Sequence, residues 1–98
     1  GGMMKQVQKM QAEMARIQNE LADERIEGSA GGGMVKVVAN GQQEILDIAI
    51  APEVVDPDDI ETLQDLVLAA VRDAMKRSQD AAAEKMSKLT GGLKLPGM

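Results

Sequence analysis

Not one of the 98 residues is Phe, Trp or Tyr. The core therefore has to be assembled from Ile, Leu, Val, Ala and the eight Met. A chain of this length forms one domain, spanning 1–98, whose modest core gains from burial against a partner chain. The same absence removes the flat side chains on which unpaired bases stack. Cys and His are missing as well. That excludes disulfides, thiolate zinc sites and a Cys nucleophile, and it takes away the commonest general base and metal ligand. Catalysis would have to run on Asp, Glu, Lys or Ser, and no paired constellation of these stands out. The expectation is a protein that is not an enzyme and uses no metal, cofactor or small-molecule substrate.

Hydrophobic spacing divides the chain. Val7, Met10, Met14, Ile17 and Leu21 alternate steps of three and four, a 3.5-residue period that predicts a helix over 3–24. So narrow a seam suits packing on another helix, across a dimer if need be. Gly1 and Gly2 read as a tag remnant or the stub of a flexible tail. Arg25–Glu27 reads as a short strand and Gly28–Gly33 as a flexible loop. Met34–Ala39 and Ile45–Ile50 read as strands around Asn40-Gly41, a hairpin signal. Val35, Val37 and Ala39 then share a face with Leu46, Ile48 and Ile50. A register pairing Val37 with Leu46 sets Lys36 opposite Asp47 on the outer face. A second helix is expected over 57–89, with Asp56 as its N-cap, Pro57 in its first turn, and Ile60, Leu63, Val67, Val71, Ala74 and Met75 as its apolar stripe. Residues 91–98 read as a flexible tail. The class is α+β, with three strands inside 25–50.

The formal net charge is -5, and it is unevenly spread. Residues 44–71 hold eight acids and no base, whereas 72–98 carry six bases against three acids. Asp56, Asp58, Asp59 and Glu61 fit the start of a helix better than a metal loop. The glycine run lacks the Lys-Ser/Thr ending of a phosphate-binding loop and is read as a connection. Lys5, Lys9 and Arg16 fall on one side of the first helix, either as a solvated face or as a phosphate-contacting stripe. No apolar run approaches the roughly 20 residues of a membrane helix, and no secretory signal is visible. A soluble intracellular protein is expected.

Four segments together resemble the YbaB/EbfC family of bacterial nucleoid-associated proteins. They are Met4–Gln11; the glycine loop running into Gly33–Val37 and Asn40-Gly41; Leu63–Val67 with Ala69-Ala70; and Glu84–Met86 followed by Gly91-Gly92 and Leu95–Gly97. They cover nearly the whole chain. The resemblance implies an α-β-β-β-α protomer with a central antiparallel sheet and two long flanking helices. It also implies an intertwined homodimer with projecting helical arms, localised to the cytoplasm and nucleoid. Val7, Met10, Met14, Ile17, Leu21, Val35, Val37, Leu46, Ile48, Ile50, Leu63 and Val67 would form core and dimer contacts. The first helix and the stripe of the second would cover the sheet.

The resemblance further implies duplex DNA as partner, with roles in chromosome organisation and gene regulation. On that reading Lys5, Lys9 and Arg16 are the first phosphate contacts, followed by Lys76, Arg77, Lys85 and Lys88. The alternative is a homodimeric scaffold for replication or recombination proteins, engaged through the Met-rich seam and the acidic surface.

Overall fold

The computed structural model describes residues 2–91. Helix α1 (Gly2–Asp23) is filled with Gln, Lys, Glu and Ala, all strong helix formers, around its apolar seam. Of that seam only Ile17 and Leu21 are buried, whereas Val7, Met10 and Met14 stay exposed. The helix therefore does not lie over the sheet as expected. It docks by its last turns and projects beyond them. The radius of gyration is accordingly 18.8 Å, against about 13 Å for a compact chain of this length.

Strand β1 (Ile26–Ala30) pairs antiparallel with β2 (Val35–Ala39), aligning Ile26 with Ala39, Gly28 with Val37 and Ala30 with Val35. The strand thus runs three residues into the segment expected to be loop. Gly28 makes this possible, because a side chain there would collide with the second helix. The connection shrinks to Gly31–Met34, where Gly31, Gly32 and Gly33 have φ of 63°, 66° and 91°. Three successive left-handed residues explain a glycine triplet at this turn.

Strand β3 (Ile45–Ile50) completes the order β1-β2-β3. Val35 pairs with Ile50, Lys36 with Ala49, Val37 with Ile48 and Val38 with Asp47. The expected Val37–Leu46 and Lys36–Asp47 pairings are displaced by two residues, which keeps Ile48 and Ile50 on the expected face, leaves Leu46 unpaired at a bulge and separates the two charges. The displacement comes from a wider loop, Asn40–Glu44, in which the left-handed residue is Gln43 at φ 64°. A bulge follows, with Ile45 opposite Ala39.

That loop also caps α1. The Gly41 amide donates to the Leu21 carbonyl at 2.7 Å, and Asn40 Nδ2 donates to the Ala22 carbonyl at 3.3 Å. Carbonyls left open at the helix end are thereby satisfied. On the other side of the loop, Ser78 Oγ donates to the Asn40 carbonyl at 2.7 Å and accepts from the Gln43 amide at 3.1 Å.

Helix α2 spans Ile60–Gly91, so it starts three residues later than expected and includes Gly91. Asp56 instead stabilises the preceding turn, accepting the Asp58 amide at 2.9 Å. Asp59 takes the cap position. Its carboxylate accepts the Thr62 amide at 3.3 Å and the Thr62 hydroxyl at 2.7 Å. The remainder of the expected tail, 92–98, and Gly1 of the expected stub lie outside the described residues, while Gly2 is helical.

The core joins Val35, Val37 and Ala39 of β2 to Ala70 and Ala74 of α2, with Val67, Leu66, Val71, Ala30 and Val54 around them. Leu63, expected in this group, is half-buried. Helix α2 rests on β1 and β2 and leaves β3 uncovered. Ile45, Leu46, Ile48 and Ile50 remain 39–44% exposed. The opposite margin of the sheet differs: the Ser29 amide donates to Asp73 Oδ2 of α2 at 3.0 Å.

Candidate nucleic-acid interface

The seven basic residues expected at phosphate lie on α1 and on the part of α2 beyond the acidic stretch 44–71. Their surroundings divide them into two groups. Lys5 and Lys9 sit on the projecting half of α1, one helical turn apart, and both are exposed. Among the described residues neither belongs to an ion pair, and the same holds for Lys76 on α2. The charge of Lys5 and Lys9 is free to meet an external anion, whereas that of Lys76 also acts on Asp73.

Arg16 lies on the same side of α1 but is held between two carboxylates. Nη2 contacts Glu13 at 2.7 Å and Nη1 contacts Glu20 at 2.6 Å. The hydrogen bond and charge of Glu13, reinforced by Glu20, push the guanidinium pKa up. Lys85 is likewise shared, contacting Glu24 at 3.1 Å and Glu20 at 3.2 Å. The hydrogen bond to Glu24, then that to Glu20, raise the Lys85 pKa. Glu20 in turn is held below the usual carboxylate range, chiefly by its bond to Lys85 and then by Arg16. This chain of five charges is the ionic tie between α1 and α2. Elsewhere on α2, Arg77 pairs with Asp73 at 3.1 Å, and Lys88 lies 3.9 Å from Glu84.

Of the seven basic residues expected to meet phosphate, then, Lys5 and Lys9 are free of carboxylates, Lys76 acts on Asp73 without pairing with it, and four are paired. Glu13 and Glu20 were legible in the sequence as acids beside the seam. The i,i+3 and i,i+4 spacing to Arg16 was the available signal for their pairing.

Between the two helices lies a cleft of about 390 Å³ lined by Glu13, Arg16, Ile17, Glu20, Lys85, Lys88 and Leu89. Its lining sets the bases Arg16, Lys85 and Lys88 against the acids Glu13 and Glu20, a small positive excess. Among the described residues no group of His, Cys, Asp and Glu could hold a metal ion. Among them, too, no helix is long and apolar enough to cross a membrane.

Two helices flanking a three-stranded antiparallel sheet, in the order α-β-β-β-α, make this an α+β protein. The same fold is found in an uncharacterized protein from Helicobacter pylori, with a TM-score of 0.72 and 25% identity over 93% of this chain and 91% of that one. Residues 1–93 match the YbaB/EbfC DNA-binding family, and the chain belongs to it. Relatives called nucleoid-associated proteins occur in Pelotomaculum thermopropionicum, at 57% identity, and Desulforamulus reducens, at 60%. Each alignment covers 98% of this chain and 91% of the relative.

Proposed function

We propose that this protein is a nucleoid-associated protein that binds duplex DNA as a homodimer, mainly through phosphates, and contributes to chromosome organisation and gene regulation in the bacterial cytoplasm. Membership of a DNA-binding family supports the choice of ligand. The observation that carries the mode of binding is the pair Lys5 and Lys9, exposed and free of carboxylates on a helix that stands clear of the sheet. Phosphate contacts of this kind hold a protein on the duplex without reading its sequence. Lys76, outside any ion pair among the described residues but within the field of Asp73, adds a third cation. Arg16, Arg77, Lys85 and Lys88 join them to the extent that they exchange a carboxylate for a phosphate.

The homodimer accounts for surfaces that a single chain leaves open. Val7, Met10 and Met14 on α1, and Leu46, Ile48 and Ile50 on β3, are apolar and exposed. Contiguous apolar patches and bare strand edges of this kind mark association surfaces. Ile17, Leu21, Val35 and Val37 form the buried part of the same assembly, with Val67 and Leu63 at its margin.

Fluorescence anisotropy of a labelled duplex, titrated at several salt concentrations, tests the reading. If a dimer neutralises about six phosphates, affinity falls roughly a thousandfold between about 50 and 200 mM salt, and unrelated sequences behave alike. Lys5→Glu with Lys9→Glu weakens binding to all of them while circular dichroism stays native. A second reading, a scaffold for replication or recombination proteins, draws on the exposed Met3, Met4 and Met10. Absence of binding at low salt, together with a partner complex that persists at high salt, would favour it.

A further inference from the structure

Arg16 lies on the same side of α1 as Lys5 and Lys9, and both of its terminal nitrogens are already engaged. Glu13 and Glu20 take up two arms of its guanidinium at 2.7 and 2.6 Å. Resting on the DNA-binding reading, we infer that Glu13 and Glu20 act as built-in competitors for phosphate: they mask Arg16 and so set the affinity of the α1 arm for the duplex.

Three observations carry this. First, the stripe is otherwise open, since Lys5 and Lys9 on the same side have no carboxylate partner among the described residues. The mask is local to Arg16. Second, the arrangement is exposed. The side chains of Arg16, Glu13 and Glu20 are 55%, 46% and 43% accessible. Ion pairs this wet are weak, so a polyanion can displace them. Third, the mask is separable from the fold. Glu13 bonds Arg16 alone among the described residues. Glu20 also bonds Lys85, but Lys85 keeps Glu24, one residue past α1, at 3.1 Å and with it a tie between that end of α1 and α2. Glu13 and Glu20 do more than lower the net charge. Each takes one terminal nitrogen of the guanidinium, Glu20 at Nη1 and Glu13 at Nη2, so both nitrogens that a phosphate would use in a two-point contact already carry a carboxylate.

The test is a cycle read by duplex anisotropy over a salt series. The Glu13→Gln, Glu20→Gln variant binds more tightly than the parent, by about eightfold at about 0.1 M salt for each phosphate gained, and its salt slope steepens by about 0.9 per phosphate. Arg16→Gln costs the parent less affinity than it costs the double variant. Arg16→Gln added to the double variant removes the gain. Should Glu20→Gln disturb the fold by circular dichroism, Glu13→Gln alone gives a smaller gain of the same sign.

Parent-like binding by the double variant overturns the inference. So does a gain that survives removal of Arg16, because that gain would reflect net charge alone. Both outcomes leave the DNA-binding reading intact. Failure of the parent and of every variant to bind at low salt would instead remove that reading, and the mask with it.

Discussion

Gly28 and Ala74 meet with no side chain between strand and helix: a Cβ at residue 28 would lie 2.2 Å from the Ala74 backbone nitrogen and 2.6 Å from its Cα. The contact sets how closely α2 lies on β1. Gly28→Ala is expected to destabilise the fold by about 1–3 kcal/mol, the usual penalty for overpacking, read from the denaturant midpoint. Ala74→Gly should not rescue it, because the clash is with backbone atoms.

Ser78 is fully buried in α2 and holds the Asn40–Glu44 loop through a donated and an accepted hydrogen bond. Ser78→Ala leaves the Asn40 carbonyl and the Gln43 amide without that partner. The expected cost is about 1–3 kcal/mol, with faster amide hydrogen exchange at Gln43. A variant with parent stability and unchanged exchange would show that water replaces the hydroxyl.

Acid should loosen the fold. Asp73 is held below the usual carboxylate range, first by the Ser29 amide and then by Arg77. Glu20 and Asp59 are lowered too, by Lys85 and by the Thr62 hydroxyl respectively. A carboxylate with a depressed folded-state pKa stabilises above its unfolded pKa and loses that contribution as pH falls through the folded value. The denaturant midpoint is therefore expected to be flat near neutrality and to fall below about pH 4. Asp73→Asn should flatten part of that fall.

Ile48 lies on the strand that α2 leaves uncovered and is 44% exposed. If β3 belongs to the dimer surface, light scattering should give twice the 10.4 kDa chain mass. The melting temperature should also rise with protein concentration. Ile48→Lys is expected to yield the single-chain mass. A dimer that persists unchanged in this variant would place the interface elsewhere.

Regular patterns in the sequence translated directly. The 3.5-residue seam fixed α1, and the alternation of Val35, Val37 and Ala39 against Ile48 and Ile50 fixed the inner face of the hairpin. Where the reading departed, a distant contact had intervened. Gly28 looks like loop until α2 is laid across it. Asn40-Gly41 looks like a tight turn until Leu21 and Ser78 draw the loop outward. Asp56 and Asp59 are equally good caps on paper, and only the reach of the Asp59 carboxylate to Thr62 separates them. The basic stripe was legible as a row of residues. Its division into free lysines and a masked arginine was not, because that depends on where the glutamate side chains settle.

The Ser29–Asp73 hydrogen bond has a consequence for assembly. It occupies an outward amide on one margin of the sheet, while among the described residues no strand pairs with the margin along β3. A second copy joining along β3 would use up that margin of both sheets, leaving only margins that α2 already guards. Strand pairing then stops at two chains, and so apolar a segment as Ile45–Ile50 is kept from seeding an endless ribbon.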